Sequence, residues 1–229
     1  MDEQDKGTAI GPLNPVPWAI WALAAPMVAL EAYLTGTEVL GGNGTLGLRQ
    51  ALWQEMAFFP EAMRAMWAAG YVPPREWLRM VSYPLIHGSF THVLFVVVIL
   101  LALGKFVGEA FRWWAVLAVV LVASVAGAAG SALVPFVKAG VYGGYPPVYG
   151  LIGAFTFVLW MRARGEGTNQ LRAFSLIGFL LAIQVVFGVA FGGGTEWVAD
   201  LAGFASGFAL SVAVNPAGWQ KVMGTLRGR

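Results

Sequence analysis

Six apolar segments, most of them about as long as a membrane-spanning helix, limit the fold of this sequence more than any other feature. A spanning helix takes about 20 mostly apolar residues, with a range of about 17–25. The predicted spans are residues 17–34, 89–107, 113–134, 147–161, 173–191 and 197–214, of which the fourth is short. The segments predict an all-α membrane protein, a six-helix bundle with both chain ends on one side of the membrane.

The composition excludes several other classes of protein. Hydrophobic residues make up 58% of the 229 residues and charged residues 11%, whereas a soluble domain carries about 25% charged residues. A soluble enzyme, a nucleic-acid-binding protein and a disordered chain are therefore disfavoured, and membrane lipids are the expected surroundings. The absence of cysteine excludes disulfides and thiolate chemistry. With only His87 and His92 as histidines, we expect no metal site and no cofactor.

The distribution of basic residues predicts the orientation. Nine of the 14 Lys and Arg residues lie on the side of the predicted bundle that holds both termini, and five lie on the other. Because Lys and Arg are enriched in cytoplasmic loops, we expect both termini to be cytoplasmic, in a bacterial inner membrane. The acidic start of the chain is unlike a signal peptide. The predicted divisions are a cytoplasmic segment at 1–16, a membrane domain at 17–214 and a basic cytoplasmic tail at 215–229.

The long first outer connection, residues 35–88, is rich in aromatic residues. Apolar residues recur at helical spacing between positions 48 and 69, which predicts one amphipathic helix lying in the membrane interface. The alternative is a loop folded onto the bundle; the two are compatible, and a half-immersed loop is favoured. Trp53, Phe59 and Trp67 are the candidate partner contacts in this loop.

A few polar and small residues inside the predicted spans are candidates for function or packing. Glu31 and Asp200 are each placed near a span end, as an interfacial side chain and a helix N-terminal carboxylate respectively. His92 is expected to make a structural hydrogen bond to a loop. Gln184 is available to a partner helix or to a bond within the bundle. Small residues predict that spans four and six touch: Gly150, Gly153, Gly203 and Gly207.

Several motifs in chain order resemble the rhomboid intramembrane serine proteases. The segment at 77–109 carries His87 and His92 with the family's spacing. The stretch YGGYPPVYGLIGAF, at 142–155, is similar to the family's Gly-x-Ser-Gly segment, and ADLAGFASGFA, at 199–209, is similar to the last span. The resemblance covers roughly residues 77–214 and implies a rhomboid-like bundle with a partly membrane-embedded first loop.

The same resemblance implies that the catalytic residues are replaced. Tyr145 stands at the position of the nucleophilic serine, two residues after the motif glycine Gly143. Asp200 stands at the position of the catalytic histidine, and Val96 at that of an oxyanion-binding asparagine. Because triad members act together, we expect no protease activity. Tyr145, Asp200 and His92 are predicted to form a structural polar lock between helices instead.

Three functions remain open from the sequence. The first is a pseudoprotease that binds transmembrane helices of other proteins without cleaving them. The second is an accessory structural subunit of a larger membrane complex, such as a respiratory or photosynthetic assembly. The third and least favoured is an active protease with a relocated nucleophile.

Overall fold

The described part of the chain folds into a bundle of helices. The computed structural model describes residues 16–40, 46–191 and 194–215. Within these ranges the α-helices, in chain order, are α1 (Trp18–Leu40), α2 (Leu46–Met56), α3 (Pro60–Ala68), α4 (Pro74–Ser82), α5 (Phe90–Ala110), α6 (Trp113–Leu133), α7 (Tyr145–Gly165), α8 (Ser175–Phe191) and α9 (Glu196–Val214). Short 3-10 turns, Tyr83–Leu85 and Gln170–Phe174, precede α5 and α8. The predicted cytoplasmic segment 1–16 and tail 215–229 lie almost entirely outside the described residues.

Four helices are long and apolar enough to cross a membrane: α1, α5, α6 and α9. The chain is therefore an all-helical, multi-pass membrane protein. The other two predicted spans correspond to α7 and α8. Helix α7 carries Arg162 and Arg164 in its last turn, and α8 has 17 residues. Most predicted boundaries lie close to those observed, but α1 continues to Leu40 rather than ending at position 34.

The central helix of the bundle is α7, which packs against α5, α6 and most extensively α9. It begins at Tyr145, two residues before the predicted start, with Gly144 at its N-cap and Pro146 and Pro147 in its first turn. Proline suits this place because the first-turn N–H groups have no partner within the helix. Two consecutive prolines therefore mark the start of α7 without interrupting it.

The prediction of one amphipathic helix over 48–69 is wrong. The outer connection forms α2, α3 and α4, and the break after α2 follows from its contacts. Phe58 pairs with Val141 in an isolated antiparallel bridge, with N···O distances of 2.9 and 2.7 Å. Pro60 then begins α3.

Two arginines hold the outer connection in place. Arg64 donates to the Val137 carbonyl at 2.7 Å, and Arg79 donates to the Ala57 carbonyl at 2.7 Å. The connection is thus folded onto the bundle.

Candidate functional site

A cavity of about 410 Å³ lies beside the N-terminal ends of α5, α7 and α9 and the middle of α8. Its lining residues come from these helices, from the segment between α6 and α7 and from the residues just before α9: His92, Val137, Ala139, Gly140, Val141, Tyr142, Tyr145, Pro146, Gln184, Gly194, Thr195, Glu196, Trp197, Ala199 and Asp200. Four of the sequence-predicted residues thus line one cavity: His92, Tyr145, Gln184 and Asp200. The prediction did not include the other polar and aromatic groups of the wall, such as Tyr142, Glu196 and Trp197.

Tyr145 and His92 are stacked against each other. Their ring centroids are 4.9 Å apart and their planes differ by 19°. Gly143 makes this possible, because a Cβ atom there would lie 2.5 Å from Cε1 of the His92 ring. Gly143 also has a φ of +87°, which other L-residues rarely adopt. Two structural features therefore favour glycine at position 143, and both are independent of catalysis.

Asp200 is buried, with 4% of its surface exposed. Its Oδ2 atom accepts a hydrogen bond of 2.7 Å from the Gln184 side-chain amide, which also donates to the Tyr149 hydroxyl at 3.1 Å. The polar link thus joins α7, α8 and α9 through Gln184, whereas the sequence suggested Tyr145 as the partner of Asp200. The amide nitrogen of Gln184 is engaged within the bundle, which is the second of its two predicted roles. Its location at mid-span was the only signal in the sequence for this link.

The hydrogen bond predicted for His92 is made by His87. The His87 Nε2 atom accepts from the Gly144 N–H at 3.3 Å and so anchors the start of α7. His87 is 1% exposed, and its ring meets the edge of His92 at 5.0 Å. Burial, and secondarily the neighbouring His92, lowers the pKa of His87 to about 4. In the described part of the chain, Nε2 of His92 is buried without a hydrogen-bond partner.

Val96 forms an apolar contact with the start of α7. It is fully buried, and a Cβ atom on Gly144 would lie 2.5 Å from its Cγ1 atom. The position that the resemblance assigns to an oxyanion-binding side chain therefore packs directly against the backbone of the Gly144 N-cap. This side chain has no group that can donate a hydrogen bond to an oxyanion.

The four predicted packing glycines lie at the contacts of α7. A Cβ atom on Gly203 would collide with the Pro146 carbonyl, and one on Gly207 with that of Gly150. Gly153 faces the Phe204 carbonyl in the same way, and Gly150 also faces the Ala123 side chain of α6. The close approach of α7 and α9 places Tyr145 and Asp200 beside the same cavity.

The three aromatic residues singled out in the outer connection differ in exposure. Trp53 contacts the edges of Phe59 and Tyr142, with centroid distances of 5.5 and 5.6 Å. Trp67 is 39% exposed. Trp53 and Phe59 therefore pack towards the protein, and Trp67 is the one of these three that presents a large surface.

Glu31 is buried in an ion pair instead of being exposed as a snorkelling side chain. It is 3% exposed, and both of its carboxylate oxygens accept hydrogen bonds from Arg49 of α2. Arg49 also donates to Glu38 and to the His87 carbonyl. The two carboxylates raise the pKa of Arg49, so the guanidinium stays charged. This cluster connects α1, the outer connection and the loop that precedes α5.

The described residues contain no group of three His, Cys, Asp or Glu side chains that could hold a metal ion. The hydroxyls of five serines donate to main-chain carbonyls: Ser82, Ser124, Ser131, Ser206 and Ser211. Ser89 is the N-cap of α5, where its hydroxyl oxygen accepts from the His92 backbone N–H at 3.2 Å. None of these contacts is the serine–imidazole hydrogen bond that activates a nucleophile.

Comparison with known proteins identifies the family. No curated protein matches this chain. The model of the Rhomboid domain family matches residues 74–216, which is more than half of the chain and includes α4 to α9. With the all-helical fold and its apolar helices, this match confirms the resemblance: the chain belongs to the Rhomboid domain family.

Proposed function

We propose that the protein is a rhomboid-like pseudoprotease that binds transmembrane helices of other proteins without cleaving them. The observation that carries the proposal is the cavity itself, where Tyr145 stacks on His92 and Asp200 accepts from Gln184. Nucleophilic catalysis needs a small hydroxyl or thiol beside a base. At these positions the chain offers a phenol that is packed against an imidazole, and a carboxylate that is paired with an amide.

In this proposal the chain crosses a bacterial inner membrane six times, with both termini in the cytoplasm. Helices α7 and α8 are then the two spans added to the four helices that length and composition identify. In support, α7 lies among α5, α6 and α9, all long and apolar. The basic residues Arg162 and Arg164 at the C-terminal end of α7 suit the cytoplasmic face.

A partner helix docks beside α8 on the side facing α5. Among the described helices, α8 contacts α7 and the preceding 3-10 turn, and its contacts with α5 and α9 are slight. Large apolar side chains are exposed on both helices, including Phe95 and Val98 on α5 and Phe179 and Val186 on α8. Transmembrane helices associate by packing and by interhelical hydrogen bonds, and a loosely packed α8 leaves surface for both.

The absence of catalysis is tested with a fluorophosphonate probe and a generic transmembrane substrate. The purified protein should be neither labelled nor active. The double variant Tyr145→Ser with Asp200→His serves as a comparison that restores the serine and histidine of the family pattern. Labelling of the unmodified protein at one serine would overturn the pseudoprotease reading and support a relocated nucleophile.

Helix binding is tested with photo-crosslinkers placed at Phe95, Phe179, Val186 and Trp67 in native membranes. Matched controls are placed at Leu121 and Val125, which are exposed apolar residues of α6. Crosslinks to several membrane proteins at the first set, and to lipid at the controls, are expected. Crosslinks to a single protein that co-purifies in fixed proportion would favour an accessory subunit of a larger complex instead. Crosslinks to lipid alone at the first set would refute this docking face.

A further inference from the structure

The cavity beside Asp200 has a wall that is acidic and aromatic. Among its described lining residues are the carboxylates Glu196 and Asp200, and neither Lys nor Arg. Four rings line it as well: His92, Tyr142, Tyr145 and Trp197. Carboxylates attract cations, and the faces of Trp and Tyr rings attract ammonium and guanidinium groups. The carboxylates and aromatic rings of the wall therefore suit a cation.

The side-chain partner of Asp200 is the neutral amide of Gln184, and no cation pairs with Asp200 among the described residues. Only 4% of the Asp200 surface is exposed, and its carboxylate accepts a hydrogen bond from the Gln184 amide. Removing a carboxylate from water is costly unless a cation is close to it. Two further buried atoms of the wall, Oε1 of Gln184 and Nε2 of His92, have no partner among the described residues. Buried polar atoms without partners need an explanation, and a bound polar group supplies one.

The positive end of the α9 dipole accounts for only one of the two carboxylates. Glu196 lies in the first turn, where an acidic side chain is favourable. Asp200 lies one turn further along, and the dipole interaction falls off within the first turn. Its side chain bonds to Gln184 of α8 rather than to the backbone of its own helix. Asp200 therefore needs an explanation of its own.

We propose that this cavity receives the cationic side chain of a lysine or arginine near the outer end of a partner's transmembrane helix. This inference rests on the helix-binding function proposed above and specifies which helices are preferred. Ionisable side chains in spans pair with one another, and the flexible stems of Lys and Arg let the charged group reach away from the helix. Gln184, which bonds to Asp200, lies in the middle of α8, the helix beside which the partner is proposed to dock. The cation replaces the missing charge partner of Asp200 and stacks on the rings around it.

The test uses synthetic transmembrane peptides and the full-length protein in phosphatidylglycerol vesicles. One peptide set carries a single Lys at each of four successive positions near the outer end, and the matched peptide carries Leu there. Energy transfer between labelled protein and labelled peptide measures affinity. The protein should bind the best Lys peptide at least tenfold more tightly than the Leu peptide. Asp200→Asn, which keeps an acceptor for Gln184, should abolish this preference, so that the variant binds the Lys and Leu peptides with equal affinity.

Two further variants control for folding and for general charge. Glu196→Gln changes an exposed acid of the wall and should reduce the preference in part, whereas Glu109→Gln, an exposed acid at the other end of α5, should have no effect. Equal binding of Lys and Leu peptides would overturn the cation preference but not helix binding. Failure of both peptides to bind would overturn both proposals. Loss of the preference in vesicles rich in phosphatidylethanolamine would assign the cavity to lipid amines and overturn the partner assignment.

Discussion

Arg49 holds both carboxylate oxygens of Glu31 in a two-pronged ion pair, with N···O distances of 2.9 Å for each prong. Such bidentate pairs are among the strongest charge-assisted hydrogen bonds. Glu31 lies on α1 and Arg49 on α2, so the pair fixes the outer connection to the first helix of the bundle.

Removal of Arg49 should destabilise the protein more than removal of the Glu31 charge. Arg49→Ala leaves a buried carboxylate without its cation and should cost about 3–5 kcal/mol. Glu31→Gln leaves Arg49 paired with Glu38 and should cost about 1–3 kcal/mol. Unfolding in mixed micelles measures both. Arg75→Ala, which removes an ion pair to Glu55 with both side chains more than half exposed, should cost less than about 1 kcal/mol. Equal losses for Arg49→Ala and Arg75→Ala would contradict a structural role for the buried pair.

Stability should fall as the pH is lowered from about 6.5 to about 4, in part because of His87. Its pKa in the folded protein is lowered to about 4 by burial, whereas in the unfolded chain it is near 6.5. The unfolded state therefore binds the proton first, so the free energy of unfolding decreases over this window. The contribution is at most about 3.5 kcal/mol, since each pKa unit corresponds to about 1.4 kcal/mol.

His87→Gln provides the comparison, because its amide oxygen can still accept from the Gly144 N–H. The difference in unfolding free energy between the two proteins should change across this window and be constant above pH 7. A difference that does not change with pH would show that His87 does not titrate as described.

Gly207→Ala should separate α7 from α9. The added Cβ atom would collide with the Gly150 carbonyl, which is backbone and cannot rotate away. Overpacking of this kind costs about 1–3 kcal/mol. Gly178→Ala in α8 is the matched control, because nothing lies within 4 Å of the position of its new Cβ. A helical alanine there should be neutral or stabilising by up to about 1 kcal/mol. Equal effects of the two substitutions on thermal unfolding would contradict close packing of α7 and α9.

Gly143→Ala should cost more than Gly70→Ala. Both glycines have positive φ angles, +87° for Gly143 and +77° for Gly70. A Cβ atom added at Gly143 would collide with the His92 ring, whereas one added at Gly70 would have no atom within 4 Å. Gly70→Ala should cost about 1–2 kcal/mol for the backbone conformation alone. The Gly143 variant adds displacement of His92 from Tyr145, which aromatic ring-current shifts in the NMR spectrum of His92 should report. An unchanged His92 spectrum would contradict the contact.

The sequence predicted the spans well where composition alone decides. An apolar run of the right length favours a membrane helix regardless of its neighbours, so α5, α6 and α9 begin and end close to the predicted positions. The break between α2 and α3 was visible as Pro60, because proline removes a helical hydrogen bond. The hydrophobic spacing outweighed that signal in the prediction of one helix.

The pairings of polar residues could not be read in the same way. Gln184 and Asp200 lie on different helices, and so do Glu31 and Arg49, so each pairing depends on how helices rotate and approach one another. The exchange of roles between His87 and His92 has a similar cause. Their spacing of five residues separates them on a helix, but only the folded loop determines that His87 faces the Gly144 N–H.

The glycine contacts between α7 and α9 also bear on the order in which the domain is made. Synthesis proceeds from the N-terminus, and the helix that packs most extensively against α7 is α9, which follows it along the chain. Until α9 has entered the membrane, the carbonyls of Pro146 and Gly150 lack the glycines that cover them. Premature termination between these helices would thus yield a product whose central helix has lost its largest contact, a substrate for membrane quality control rather than a smaller working domain.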